Sequence, residues 1–249
     1  MPDFSRLLAL ACTCCALVGP SPTAAGEFSV NPIRLELGAS VRSSSITVRN
    51  DGKQKLTFQI EAREWTQDES GKDQYGPTRD LVFFPKIMAV EAEQEGVIRV
   101  GTRNAVLPAE KTYRLFIEEL PPAEPAPGVQ LNVVIRFGAP VFVQPLKPHD
   151  GVEIEALALA GGALSFRARN TGNRHQVIQG IQLRGYDDAG REVYALALAD
   201  RYLLAGSGKP YTVAIDADRC SKLAVLEVDI KTDKSAAQRK LGVTRAMCP

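Results

Sequence analysis

Apolar and polar positions alternate with a period of two along most of this chain, the spacing that sends successive side chains to opposite faces of a strand. "ITVRN" alternates up to Asn50-Asp51-Gly52, a turn signal. "LTFQIEAREW" places its apolar positions at Phe58, Ile60 and Ala62. "VIRVGTR" and "YRLFIEEL" are short runs rich in β-branched and aromatic residues. After Pro145 the pattern restarts in "VEIEALAL", "ALSFRARNTGN", "IQGIQLRGYDDAGREVYAL", "YTVAIDAD" and "LAVLEVDIKTD", punctuated by glycine, asparagine and aspartate. Asp188-Ala189-Gly190 between two alternating runs predicts a hairpin. The strongest helical candidate is "DKSAAQRKLG", Asp233 to Gly242, read as a loop or a turn of helix.

Short strands at this spacing predict an all-β chain of antiparallel sandwiches. "QPLKPHDG" interrupts the pattern with two prolines, a short and stiff connection. The expectation is therefore two β-sandwich domains, residues 26–147 and 148–249, with a single barrel as the alternative. One segment stands apart. "VQLNVVIRFGAPVFVQP", Val129 to Pro145, alternates at first and then stays apolar, and it follows the loose stretch "LPPAEPAPG". A strand of this kind is an aggregation hazard if its apolar face is left open. Either the domain's own core covers that face or a partner does.

Composition narrows the function classes. At 45% hydrophobic residues the 249-residue chain can build proper cores. A formal charge of +1 does not favour nucleic acid or an anionic membrane surface. The start, "MPDFSRLLALACTCCALVGPSPTAAGEF", has Arg6, an apolar run from Leu7 to Val18 and a small-residue stretch ending at Ala25. It reads as a secretory signal peptide, residues 1–25, too short in its apolar run for comfortable spanning. Three of the five cysteines leave with it, which leaves Cys220 and Cys248 as a pair in an oxidising compartment. A disulfide between them would tie the last strand region to the chain end. Beyond the expected leader neither CxxC nor HExxH is present, and GxSxG, the P-loop and GxGxxG are missing too. "GSGK" lacks the Walker spacing and "DESGKDQYG" lacks that of a calcium loop, so both read as turns. With only His149 and His175 as histidines, no enzyme, metal or cofactor is expected.

The order of several segments resembles the periplasmic pilus-assembly chaperones of the chaperone–usher pathway, the PapD-like family. "LPAEKTYRLFIEELPP", Leu107 to Pro122, is similar to its signature, a Leu-Pro segment, a Leu-Phe strand and a Pro-Pro end. A variable loop and a long strand follow, as "AEPAPG" and "VQLNVVIRFGAPVFVQP" do here. "FSVNPIRLELGAS" resembles the first strand, "NDGKQKLTFQIEAREW" the second and third, and "FRARNTGN" a strand and turn of the second domain. The resemblance covers Phe28 to Pro148 well and the remainder loosely.

This likeness implies two immunoglobulin-like domains and a mechanism. The chaperone lends a strand to an incomplete pilin-like subunit, a mode of strand addition in which alternate side chains fill the subunit's groove. The matching residues are Leu131, Val133, Ile135 and Phe137, all of one parity. The family also implies a cationic grip on the subunit's terminal carboxylate. One member matches Arg34; the other matches Pro140, which carries no charge, so the chain resembles a divergent branch. Arg136, Arg114 and Lys86 are substitutes by charge alone. Gly138-Ala139-Pro140 is expected to break the alternation and end the lending segment. The implied partners are subunits and an outer-membrane usher in the periplasm, with no nucleic acid and no stable membrane insertion; a self-capping homodimer stays open. The competing reading is a secreted two-domain immunoglobulin-like binding module or adhesin. The proline-rich loop 121–128 either orders when a partner docks or is an idle connection.

Overall fold

The computed structural model describes residues 27–104, 106–121 and 133–249. Residues 1–25, expected to be a leader, lie outside them, as does all of the proline-rich loop except Pro121. The first half contains β1 (Phe28–Asn31), β2 (Leu35–Leu37), β3 (Ser43–Asn50), β4 (Leu56–Gln67), β5 (Asp73–Pro77), β6 (Leu81–Phe84), β7 (Ile87–Val90), β8 (Glu95–Thr102), β9 (Lys111–Glu119) and β10 (Arg136–Val143). They form two facing sheets, one ordered β1-β3-β8-β6 and one ordered β2-β10-β9-β4-β5, with β7 also pairing β4. The second half contains β11 (Val152–Ala160), β12 (Ala163–Asn170), β13 (Gln176–Tyr186), β14 (Glu192–Leu198), β15 (Tyr202–Leu203), β16 (Gly208–Ala214), helical turn α1 (Ala217–Cys220), β17 (Val225–Thr232) and β18 (Ala236–Gly242). Its sheets run β11-β12-β16 and β14-β13-β17-β18, with β15 also on β13. The chain is thus two β-sandwiches rather than one barrel.

The cores follow from the alternation. Phe58, Ile60 and Ala62 of β4 face Ile46 and Val48 of β3 and Ile98 and Val100 of β8, all buried. Tyr113, Leu115 and Ile117 continue the same wall on β9. In the second sandwich Leu164, Phe166 and Ala168 meet Ile181, Leu183, Leu226, Val228 and Ile230. Each fully buried side chain of this kind contributes about 1.5–3 kcal/mol relative to exposure.

Each sandwich carries the same asparagine device. Asn50 is fully buried, donates from Nδ2 to the carbonyls of Gln54, Val90 and Glu91, and accepts from the Gly52 amide. Asn170 donates to the carbonyls of Arg174 and Leu203 and accepts from the Gly172 amide. Both turns leave a strand of one sheet for the other, so their polar backbone groups would be buried unpaired without the amide. The hairpin predicted at Asp188-Ala189-Gly190 joins β13 to β14. Asp187 accepts from the Ala189 and Arg191 amides there, and Gly190 takes φ 74°, a conformation that glycine adopts freely.

The helical candidate at Asp233–Gly242 is corrected. Asp233 to Ser235 form a turn, and Ala236–Gly242 is strand β18, in register with β17 from Lys231 to Val225. Ala237 and Leu241 turn inward onto the core, and this tertiary pairing outweighs local helix preference. The helical turn lies instead at Ala217–Cys220, capped by the Asp216 carboxylate on the Arg219 amide.

Cys220 and Cys248 are bonded, with Cα atoms 5.6 Å apart, and close a span of 28 residues that fastens the chain end to the second core. Replacing Cys220 with serine is expected to lower the thermal stability of that domain by about 3–4 kcal/mol on the chain-entropy model. An unaltered melting curve would count against it.

No strand pairs across residues 144–151. The sandwiches meet through Trp65 and Phe142 from the first and Tyr202 and Leu204 from the second. His175 stacks on Phe142 with ring centroids 3.6 Å apart. Its Nδ1 lies 2.8 and 2.9 Å from the two carboxylate oxygens of Glu110, and its backbone amide donates to the same group. Both side chains are almost wholly buried. Gln67 bridges to the backbone of Tyr202 and Leu204, and Asn173 to the carbonyls of Pro108 and Lys147. The junction therefore joins apolar packing to several specific polar contacts. Beside it Asp80 accepts from Lys111 Nζ and Tyr113 Oη, both at 2.8 Å, which tie the start of β9 to the start of β6. The Lys111 and Tyr113 donors hold the Asp80 carboxyl below its ordinary range.

Candidate functional site

The unusual strand is β10, and its two edges differ. Along one edge it pairs antiparallel with β9 from Arg136↔Glu118 to Val143↔Lys111. Along the other it pairs, parallel, with β2 only at Val141, Phe142 and Val143. From Pro140 back to Val133 the second edge has no strand beside it among the described residues. An unpaired row of backbone groups of this length is a template for another strand.

The direction of those groups can be read from two bonds. The Glu119 amide donates to the Ile135 carbonyl, and the Gln144 amide donates to the Leu37 carbonyl on the β2 side. In an antiparallel ladder only alternate residues bond to a given neighbour. Odd-numbered residues of β10 therefore bond to β9, while Val134, Arg136, Gly138 and Pro140 direct their amides and carbonyls to the open side. Pro140 thus costs β9 nothing, since its missing donor would face the open side. The expected break at Gly138-Ala139-Pro140 is corrected: the register with β9 runs through it unshifted. What closes the edge is β2, from Val141 onward.

Side chains divide along the same strand. Ala139, Val141 and Val143 are buried in the domain's own core. Phe137, expected to extend the outward series, is half-buried and packs on that core at the level of Ile117. Ile135 is half-buried and Val133 is 47% exposed, neither within the core. Val134, on the opposite face, is 50% exposed. Leu131 lies outside the described residues. The apolar parity therefore runs from core wall at Phe137 to open surface at Val133.

The expected cations separate clearly. Arg34 stands in the turn before β2, one residue ahead of Leu35, which pairs with Val141; this puts it at the level of Pro140, where the open edge begins. Its side chain is half exposed and 3.4 Å from Glu36. Arg136 is engaged by Glu118 at 3.1 Å and Glu61 at 3.6 Å and lies over the Phe116 ring. Lys86 is exposed in the link between β6 and β7, and β9 and β4 separate it from β10. Arg114 is opposite Pro140 on β9, its guanidinium 3.9 Å from the Trp65 ring centroid, beside the domain junction.

Exposed strand edge, apolar teeth and cations make a surface suited to holding an extended chain. The described residues include no cluster of metal-ligating side chains. The Glu110–His175 junction and the closure of the edge by β2 were not foreseen. The first needs two residues far apart in sequence to meet, and the second rests on a three-residue strand.

A search of curated protein sequences returns no match to this chain. Among solved structures it resembles the class 5 fimbriae chaperone CfaA, with 14% identity, a TM-score of 0.58, and 88% of this chain and 99% of that one covered. It also resembles a chain of the Salmonella enterica SafA pilin–SafB chaperone complex, with 14% identity, a TM-score of 0.56 and coverages of 88% and 99%. A third is the CsuC–CsuE chaperone–tip adhesion subunit complex from archaic chaperone–usher pili of Acinetobacter baumannii, with 17% identity, a TM-score of 0.54 and coverages of 76% and 91%. At these identities the likeness establishes the fold. Residues 27–148 match the family model described as the pili and flagellar-assembly chaperone, PapD N-terminal domain. Through that domain, the chain belongs to the PapD-like family of pilus-assembly chaperones.

Proposed function

We propose that this chain is a periplasmic chaperone that holds pilin-like subunits by lending them the open edge of β10 and hands them to an outer-membrane usher. The observation that carries the reading is the unpaired edge from Val133 to Pro140, with Val133 and Ile135 outside the domain's own core. A guest strand zipped to this edge gains backbone bonds from the even-numbered residues, while the odd-numbered side chains fill its groove. Arg34, at the head of the edge, meets the guest's terminal carboxylate. Its present ion pair with Glu36 is half exposed and so weak, and a partly desolvated carboxylate displaces it readily. Two relatives in fold are described as complexes of a chaperone with a pilin or a tip adhesion subunit, which fits such a partner. Among the described residues no helix is long and apolar enough to cross a membrane.

The test is co-expression of the tagged chain in a periplasm with a small secreted β-subunit encoded beside it, followed by purification on the tag. A one-to-one complex is the expected product. Arg34→Ala should reduce recovery about tenfold, the loss of one charge-assisted contact, with little change in melting temperature. Full recovery would remove Arg34 from the grip. If the wild-type chain recovers no subunit, the reading itself fails.

A further inference from the structure

One buried carboxylate lacks a partner. Tyr113, Leu115 and Ile117 point from β9 into the first core, and Glu119 is the next residue of that parity. It stands opposite the buried Phe58 on β4, and its amide donates to the Ile135 carbonyl on β10. Only 9% of it is exposed, and its Oε2 is buried with no hydrogen-bond partner among the described residues. The other buried glutamates are matched, Glu110 by His175 and Glu227 by Lys240. Asp229 also has a buried oxygen without a hydrogen bond, but its side chain is partly exposed and Arg184 lies 3.6 Å away. A buried carboxylate oxygen with nothing to accept from is rare and costly, and calls for a donor that arrives from outside.

Glu119 also lies where the first core ends. One step back along the strand pair, Ile117 is opposite Phe137, which packs on that core. At Glu119 the neighbour on β10 is Ile135, and Val133 follows it; neither is in the core. Residues opposite one another on paired strands share a face. Glu119 therefore stands on the face from which Val133 and Ile135 project. A guest whose groove closes over those two side chains closes over the carboxylate as well, and removes the contact with water it still has.

Resting on the lent-strand reading above, we propose that Glu119 is a specificity-determining residue at the seam of the two cores, selecting guests that carry a lysine or arginine at the level of Ile135. The guest strand lies beside β10, about 10 Å from β9 at two strand spacings. A serine or threonine there falls short, whereas a long cationic side chain arches over Ile135 with its apolar stem against it. A cation is also the stronger partner for a carboxylate. In the free protein the lone carboxylate costs stability; in the complex it becomes half of a buried ion pair. A guest with an apolar residue at that level strands the charge and is rejected.

The test uses the subunit captured above and two variants of the chaperone. Glu119→Gln keeps the shape without the charge, and Glu119→Leu extends the apolar core. Both should recover the subunit at least about tenfold less well, the worth of one charge-assisted bond. The free proteins should melt no lower than wild type, and Glu119→Leu should melt about 4 °C higher or more, since a residue kept for binding is a burden on the fold. Replacing each lysine and arginine of the subunit in turn by methionine should reveal one position that weakens capture by the wild-type chain about tenfold but not capture by Glu119→Gln. A lower melting temperature in Glu119→Gln would show the carboxylate bonded within the free protein and overturn the proposal. Undiminished capture by either variant, or no such position in the subunit, would overturn it while leaving the lent strand intact. No capture by the wild-type chain would overturn both.

Discussion

Replacing Val133 and Ile135 together with serine is expected to abolish recovery of a co-expressed subunit while the free protein melts as before. Both side chains stand off the domain's core, Val133 nearly half exposed, so their loss opens no cavity. In a complex both become buried. Each is then worth about 1.5–3 kcal/mol, or about 3–6 kcal/mol for the pair. That corresponds to a loss of roughly two to four orders of magnitude in affinity. Serine keeps the backbone ladder, so a remnant of binding isolates what the amides and carbonyls contribute. A Phe137→Ser variant should behave differently: that ring packs on the first core, and its removal should lower the melting temperature. If the double replacement unfolded the free protein, the two residues would belong to the home core and the lent edge would be a misreading. If it left capture untouched, the groove would be filled by other residues.

The second large effect is expected at the junction. His175→Ala removes the partner of a carboxylate whose side chain is wholly buried. Leaving one member of a buried pair alone typically costs about 3–5 kcal/mol. The stacking of the imidazole on Phe142 is lost as well. Urea unfolding of the variant should start earlier and split into two steps, as the two sandwiches lose their common fastening. The double variant Glu110→Ala/His175→Ala should be less destabilised than the sum of the single changes, because no charge is then stranded. Additive effects would mean that the pair does not act as a unit. Since Phe142 belongs to β10, the same variant links the domain angle to the strand that carries the open edge.

Much of this architecture is legible in the sequence because alternation is a local property. Phe58, Ile60 and Ala62 lie in the core as their spacing predicts, and the turn at Asp188-Ala189-Gly190 is carried by aspartate and glycine chemistry. Cys220 and Cys248, the two cysteines beyond the expected leader, are bonded as the count suggests. β18 is illegible for the opposite reason: its residues favour a helix, and only the neighbouring β17 makes them a strand. The site divides in the same way. Parity marks Val133, Ile135 and Phe137 as one row, yet it cannot tell where that row leaves the core. That point depends on Ile117 covering Phe137 and on the tip of β2 meeting Val141. Charge alone leaves Arg136, Arg114 and Lys86 equivalent. Three-dimensional pairing spends the first on two glutamates, puts the third across the sheet and leaves the second by the edge.

The three-residue union of β2 with the end of β10 has a thermodynamic consequence. A ribbon clamped at one extremity and braced by β9 along its length is already extended before any visitor arrives. On the lent-strand reading proposed above, the chaperone would surrender little conformational freedom on association, and nearly all the ordering would fall on the incoming polypeptide. A template stiff in advance would then impose its own extended shape on the guest strand.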